Sequence, residues 1–535
     1  MKKLPQGISS FSKLIKNDYI YIDKSKHIYN MINEGDVYFL SRPRRFGKSL
    51  LVSTFEELFK GNRELFKGLY IYDKWDWSLN YPVIRLDFTK IGHKNPEVLE
   101  SSLDDFINQK ARDYSIELIS KNLTSKFAEL IEQIHKKTKK EVVILIDEYD
   151  KPINNHLDDI ELAKKNRDVL RNFYQVLKGN DENIRFLFIT GITKFSKTSI
   201  FSDLNSLTDI TIHEKYAKIC GYMEDDIKTE FNDYLLELSE YTDMNEEDLL
   251  IAIKNYYNGY SWDGKNFLYS PFSILKLFYM KKFANYWAET GTQKLLVDLL
   301  KTTNVDLDLL IKKEYEFTGT FPNFELDNID FDAVLLQTGY LTIKNEIINP
   351  PNSSIYIAGI PNKEVEESLF SYILGVYTNN SAEKIEPMTK KMLSYILTQD
   401  EENLNKSLEI LLHKIPNILY GELKNEIEAH YKVLVISWIQ QLGFDIETEI
   451  MTLKGRLDAL VKYKDLILII EFKYDDKKSF ETMIKDGENQ IIEKEYYKPY
   501  QDKNVKILTI VFKSRQVKCK FKSLDDVLKG YDKKE

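Results

Sequence analysis

Ser41-Arg42-Pro43-Arg44-Arg45-Phe46-Gly47-Lys48-Ser49 lies between two apolar runs, and its reading decides the fold. Val37-Tyr38-Phe39-Leu40 before it reads as a short buried strand. After it, Leu50, Leu51, Val52, Phe55, Leu58 and Phe59 recur at helical spacing. Strand, turn, then Gly47-Lys48-Ser49 opening a helix is the context that phosphate binding needs. The helix N-terminus offers unpaired N–H groups, Lys48 adds a cation for β- and γ-phosphates, and Ser49 can ligate Mg²⁺. The general pattern's first glycine falls on Arg42. The bland alternative is a basic turn before an amphipathic helix.

Further along, Val142-Val143-Ile144-Leu145-Ile146 is an apolar strand that delivers Asp147 and Glu148 at its C-terminal end. Parallel α/β sheets bind ligands at that edge. Asp147 would hold Mg²⁺ and Glu148 would polarise an attacking water near a γ-phosphate. The alternative is a strand that simply ends in solvated acids before the turn at Lys151-Pro152. A strand at 82–88 falls between the lysine loop and the acidic strand, which predicts an extra strand between the two motif-bearing ones. A further strand, Arg185 to Ile189, ends in Thr190-Gly191, where a polar side chain could read the γ-phosphate. Helices are expected around 97–112 and 121–137.

At 535 residues the chain is long enough for several domains. Hydrophobic residues at 43% and charged residues at 30% describe a soluble globular protein. No apolar stretch reaches bilayer-spanning length, and the N-terminus lacks a signal peptide's apolar core. Cys220 and Cys519 make neither a disulfide framework nor a metal cluster, so a reducing cytoplasm is the expected compartment. The net charge of −9 argues against a globally basic nucleic-acid coat but permits a local basic groove.

Residues 216–300 read as helical, with aromatic segments at Tyr256–Trp262 and Tyr269–Leu275 that are expected in the core. Val334–Ile343 joins a helix to a strand, and Tyr356–Asn362 follows as a second strand leading into a helix from Glu364. Helix plus hairpin resembles a winged-helix module. Without a basic recognition helix, a relay role suits it better than DNA binding. Residues 380–420 read as a polar helical connector.

The last part holds a second constellation. Lys454-Gly455-Arg456-Leu457-Asp458 begins one strand, and Leu466–Ile470 leads into Glu471-Phe472-Lys473 on the next. Glu471 and Lys473 fall on one face of that strand, with Phe472 opposite. Burying two carboxylates and a lysine together is costly unless something compensates, and Mg²⁺ held by Asp458 and Glu471 would do so. A metal there activates a water, while Lys473 orients it and steadies developing charge, which is phosphodiester hydrolysis chemistry. The alternative is a solvated hairpin with a Glu471–Lys473 ion pair. The basic run Lys494, Lys498, Lys503, Lys506, Lys513, Arg515, Lys518, Lys520 and Lys522 is either a solvated face or a phosphate-backbone track.

Two resemblances follow from these residues. Leu4-Pro5-x-Gly7-Ile8, Phe11, Tyr21-x-Asp23-Lys24, Arg42 to Ser49 and Thr190 to Ser196 resemble the AAA-ATPase-like family of prokaryotic proteins, over residues 4 to about 215. In that family the arginine-rich loop without the first glycine is the usual form. The resemblance implies ATP binding through Gly47, Lys48 and Ser49, with Asp147 and Glu148 as the acidic pair. Arg42, Arg44, Arg45 and Thr190 are further candidates around the nucleotide. Gly455-Arg456-x-Asp458, Glu471-x-Lys473 and Gln490-Ile491 resemble the PD-(D/E)XK nuclease superfamily, over about 420–515. This second resemblance implies Asp458 and Glu471 as metal ligands and Lys473 as the catalytic lysine. It implies Glu428 as a third acid with Glu426 competing, Gln490 as a supporting residue, and Arg456 as a phosphate contact.

The expected architecture is multidomain α/β. A P-loop NTPase with an AAA/ASCE-like parallel sheet (1–215) precedes a helical lid (216–310), a winged-helix-like and helical connector (311–415) and a PD-(D/E)XK nuclease-like domain (416–535). The expected function is an ATP-binding and ATP-hydrolysing protein coupled to a nuclease acting on DNA with Mg²⁺, or Mn²⁺ in its place. The alternative is a nucleotide-switched protein whose last domain binds nucleic acid or a partner without cutting. A homo-oligomer is compatible with either.

Overall fold

The computed structural model of the protein describes residues 1–195, 200–201, 204, 206–287, 314–318, 326, 331–348, 350–378, 391–392, 394–413, 427–441, 445–452, 454–463, 465–514 and 516–531. The chain divides into two compact units, Met1–Leu296 with Glu316–Val365 and Val297–Tyr315 with Glu366–Glu535.

The first unit is built on a parallel sheet of β1 (Val37–Ser41), β2 (Val83–Asp87), β3 (Val142–Asp147), β4 (Ile184–Gly191) and β5 (Thr208–Asp209), in the order β2-β3-β4-β1-β5. Every residue of β3 is buried, which explains its unbroken apolar run: an interior parallel strand is covered on both faces. The helices Pro96–Asp113, Leu123–Thr138 and Ile160–Lys178 each start at a side-chain cap. Asn95, Asn122 and Asp159 accept from the N–H of Val98, Ser125 and Leu162.

An extra strand does separate the two motif-bearing strands, but it is β4. The stretch at 82–88 forms β2, on the outer side of β3. The reason is that helical crossovers free parallel strands from following chain order. β1 pairs with β4 through Leu40↔Thr190 and Ser41↔Gly191, so the lysine loop leaves the sheet beside the end of β4.

Gly191 sits where the ends of β3 and β4 meet. A Cβ there would stand 2.6 Å from Asp150 Oδ1 and 2.7 Å from the Tyr149 ring, and both neighbours are buried. Gly191→Ala is expected to destabilise the first unit by about 1–3 kcal/mol, read as a lowered urea midpoint. An unchanged midpoint would mean that the seam has slack.

The helices Glu224–Glu230, Asn232–Thr242, Glu246–Tyr257 and Pro271–Met280 share one core, in which Phe231, Leu235, Ile253, Tyr257, Ile274 and Phe278 are buried. The aromatic segments join the interior as expected, with Tyr257, Tyr260, Trp262 and Tyr269 all buried. The helix Phe331–Thr338 leads into the antiparallel hairpin β6 (Thr342–Ile347) and β7 (Ile355–Gly359), followed by the helix Lys363–Thr378. The Ser261 N–H donates to Thr342 Oγ1 at 2.6 Å, and the Lys194 N–H donates to the buried Gln337 Oε1 at 2.9 Å. The helix–hairpin is thus hydrogen-bonded to the helical region and to the segment after β4.

The second unit carries the helix Ile427–Gln441, then β8 (Asp445–Thr452), β9 (Gly455–Tyr463), β10 (Leu466–Tyr474), the helix Phe480–Glu493, β11 (Asn504–Lys513) and β12 (Gln516–Ser523). The sheet order is β12-β11-β10-β9-β8, with β10 and β11 parallel and the other pairs antiparallel. The helix Glu401–His413, from the polar connector region, covers the edge strand β12. Glu401 and Asn405 side chains accept from the N–H groups of Phe521 and Cys519, at 2.9 and 2.6 Å. No helix among the described residues is long and apolar enough to cross a membrane.

Candidate functional site

The loop after β1 is shaped by its glycine and its lysine. Gly47 has φ +94°, a left-handed conformation that a side chain resists, and it caps the helix Lys48–Phe59. Lys48 is buried, and its Nζ donates to Arg42 O at 2.8 Å and Pro43 O at 2.9 Å. Burial pushes its pKa down, against the pull of the nearby Glu148, Asp147 and Asp150 carboxylates. The lysine is therefore held at the loop on carbonyl partners that stronger phosphate acceptors can replace.

Asp147, at the end of β3, is almost fully buried. Burial raises its pKa to about 6, opposed by the Ser49 hydroxyl and the Lys48 ammonium. Its Oδ1 receives no hydrogen bond from any described residue, and Arg85 Nη2 stands 3.9 Å from Oδ2. Ser49, Lys48 and Asp147 are brought together as expected. Glu148 adopts φ +53° and pairs with Lys151 Nζ at 3.2 Å, so its carboxylate leaves the strand direction and stays partly exposed.

Two expected nucleotide contacts lie elsewhere. Arg42 is fully buried: its guanidinium donates to the carbonyls of Ser41, Thr211 and Tyr216 and lies 4.1 Å from the Trp262 ring centroid. Its cation braces the fold, and only its carbonyl faces Lys48. Thr190 is also fully buried and donates Oγ1 to Leu40 O at 2.9 Å, which ties β4 to β1 and takes the hydroxyl away from a phosphate. Arg44 is half-buried, and Arg45 is exposed with φ +69°, its guanidinium 5.2 Å from the Phe272 ring. Between them and Lys48, Phe46 anchors the loop edge-on against Tyr260 at 4.7 Å and Trp262 at 5.2 Å.

Asp150 escaped the sequence reading. Its buried Oδ2 accepts from the N–H groups of Ile192 and Thr193 at 2.9 and 2.7 Å, from Thr193 Oγ1 at 2.7 Å and from Asn154 Nδ2 at 2.7 Å. It fixes the segment after β4 against the end of β3. The signal available was a third acid after Asp147-Glu148, next to a Thr-Gly-x-Thr run downstream.

In the second unit, the β9–β10 ladder runs to Ala459↔Ile470, and beyond it Asp458 Oδ2 accepts from the Phe472 N–H at 2.9 Å. Lys473 Nζ donates to Glu471 Oε1 at 2.6 Å and to Phe472 O at 3.1 Å. Glu471 is completely buried, and its Oε2 receives no hydrogen bond from any described residue. Phe472 points the other way, stacked on Phe512 at 6.2 Å between centroids. Asp458, Glu471 and Lys473 thus converge as the spacing requires.

Burial, then repulsion from Asp458, lifts the Glu471 pKa to about 8, against the attraction of Lys473 and Lys432. Between the ordinary carboxyl range and that value the folded protein keeps a proton that the unfolded chain has lost. Metal-free stability contributed here is therefore lost as pH rises through that window. In chelator, urea unfolding of wild type should weaken from about pH 5 to about pH 8 relative to Glu471→Gln. Parallel curves for the two proteins would show that this carboxyl titrates normally.

Gln490 lies near Tyr496, whose hydroxyl donates to Arg456 O at 2.6 Å and so holds the start of β9. Gly487, on the same helix, is packed so closely that a Cβ would stand 2.7 Å from Thr509 Cγ2 and 3.5 Å from Glu471 Cγ. The helix of Glu428 is described but its side chain is not, and Glu426 and Arg515 lie outside the described residues. The basic run does not form an open phosphate track on β12. Lys518, Lys520 and Lys522 alternate with buried Cys519 and Phe521 and pair with Glu481, Glu401 and Glu488 at 3.0, 3.0 and 2.7 Å.

A metal fits both centres by their chemistry. Each holds a buried carboxylate with one oxygen lacking a donor, an arrangement that is costly unless a cation completes it. Asp147 with Ser49, and Asp458 with Glu471, are the groups that would hold it. Among the described residues no group of three or more His, Cys, Asp or Glu residues forms a metal site.

Comparison with known proteins finds two family models along the chain. The family model described as "Predicted AAA-ATPase" matches residues 5–201, and that of the PD-(D/E)XK nuclease superfamily matches residues 426–522. The chain is 37% identical over 476 residues, 88% of its own length and 89% of the relative's, to the protein named "Uncharacterized protein in vnfD 5'region" of Azotobacter chroococcum mcd 1. No solved structure matches. The chain belongs to the AAA-ATPase-like family and ends in a domain of the PD-(D/E)XK nuclease superfamily.

Proposed function

We propose that the protein binds and hydrolyses ATP at the Lys48 centre and cuts DNA at the Asp458/Glu471/Lys473 centre, with ATP governing the cutting. One observation carries the reading: both centres bury a carboxylate oxygen without a donor, Asp147 Oδ1 and Glu471 Oε2, each in a site that also holds a lysine. A module that only binds nucleic acid has no need of the Asp458, Glu471 and Lys473 set, whereas a centre that cleaves a phosphodiester does.

At the first centre Lys48 and the N–H groups of the Gly47-Lys48-Ser49 turn would bind the triphosphate, and Asp147 with Ser49 would hold Mg²⁺. Glu148 leaves Lys151 to orient the attacking water. At the second, Lys473 takes a place beside the attacking water, and Asp458 is held by the Phe472 N–H. A bound divalent cation supplies Lewis acidity toward phosphate and lowers the pKa of water. Single- and double-stranded DNA incubated with the full chain, in Mg²⁺ or Mn²⁺ and with or without ATP, test the reading. Degradation that disappears in chelator and in Asp458→Asn is expected, and intact DNA in every condition contradicts it.

A further inference from the structure

The nuclease centre contains a second lysine that the reading above does not use. Lys432 lies on the helix Ile427–Gln441, and its side chain is 9% exposed. The helix is anchored one residue earlier: Tyr431 donates its hydroxyl to Ser514 O at 2.6 Å and packs on Phe512 at 4.8 Å. Lys432 Nζ then donates to Asp458 Oδ1 at 2.6 Å. Oδ2 of the same carboxylate already accepts from the Phe472 N–H, so the lysine occupies the oxygen that the backbone leaves open.

Among the described residues Asp458 faces Lys432 and Glu471 faces Lys473, so each metal-binding carboxyl group already has an ammonium beside it. A divalent cation entering this buried set meets the repulsion of two cations and competes with an ion pair for Asp458. A phosphodiester brings an anion that the Lys432 ammonium can face instead.

We propose that Lys432 is a resident counter-ion that a divalent metal must displace from Asp458, so that metal loading is weak until a nucleic-acid phosphate gives the Lys432 ammonium another anion to face. This rests on the nuclease reading. It makes Lys432 a positioning residue that acts through Asp458, and it makes metal and nucleic acid bind cooperatively.

The test is Mn²⁺ titration of the full chain, without nucleotide, followed by the electron paramagnetic resonance signal of free Mn²⁺. The site in question is the binding lost in Asp458→Asn. Lys432→Met, which keeps length and apolar packing, should bind Mn²⁺ at least about tenfold tighter than wild type without DNA, because a nearby buried cation is removed. Lys432→Arg, which keeps the charge, should stay near wild type. A phosphorothioate DNA duplex should tighten binding by wild type much more than by Lys432→Met. Equal or weaker binding by Lys432→Met, or equal tightening by both variants, overturns the proposal. If Asp458→Asn loses no Mn²⁺ binding relative to wild type, the metal-centre reading itself is overturned, and this proposal with it. If Lys432→Met does not fold, a crystal structure of the wild type with Mn²⁺ decides. Nζ displaced from Asp458 Oδ1 supports the proposal, and an intact hydrogen bond alongside bound Mn²⁺ overturns it.

Discussion

Lys473→Ala is expected to slow metal-dependent DNA cleavage by at least about 10²–10³-fold while leaving ATP binding unchanged. The expectation follows from position. Lys473 Nζ is held between Glu471 Oε1 and Phe472 O, so it is fixed in place, yet its side chain is one-quarter exposed and open to substrate. Removing it takes away the cation that the proposed reaction sets beside the attacking water, and the partner of a fully buried carboxylate. Glu471 then holds its proton more tightly, which weakens its hold on a metal. Lys473→Arg should rescue poorly, because a planar guanidinium does not reproduce a compact ammonium donor. Gel-based cleavage with Mg²⁺ reads the effect, and a Lys473→Ala protein that cuts like wild type removes the nuclease reading.

Lys48→Ala is expected to weaken ATP binding by about 10²-fold or more, since two charge-assisted contacts to phosphate are each worth about 1.5–3 kcal/mol. Lys48 Nζ donates to Arg42 O and Pro43 O. Pro43 packs against residue 339, where a Cβ would stand 2.7 Å from Pro43 Cγ, and Arg42 lies on Trp262. Residues 42–43 thus touch both the start of the hairpin and the aromatic segment beside it. Calorimetric titration with ATP reads the binding. Unchanged affinity in Lys48→Ala would mean that the loop does not hold the triphosphate.

What the sequence disclosed depended on how local the cause was. The apolar run of β3 and the Gly47-Lys48-Ser49 turn were legible because burial on both faces and a left-handed glycine leave local signatures. Asp458, Glu471 and Lys473 were legible because strand alternation sets their facing. Arg42 was not, because its direction is set by Trp262, Thr211 and Tyr216, which are distant in the chain. Thr190 misled for a related reason: its strand became the interior neighbour of β1, and the hydroxyl was taken by Leu40 O. Lys432 had no motif to announce it, since one lysine on an apolar helix reads as a solvated end until the helix is placed against β9. For Lys518, Lys520 and Lys522 a solvated face and a phosphate track stayed open in the sequence because the acids that pair with them are remote in the chain.

The central claim, that ATP at Lys48 governs cutting at Lys473, is tested most directly by one comparison. The rate of DNA cleavage in Mg²⁺ is measured with and without ATP for wild type and Lys48→Ala, with Lys473→Ala as the blank. A wild-type rate that changes with ATP, a Lys48→Ala rate that does not, and no cutting in the blank is the predicted result. A rate that ignores both ATP and Lys48→Ala would contradict it.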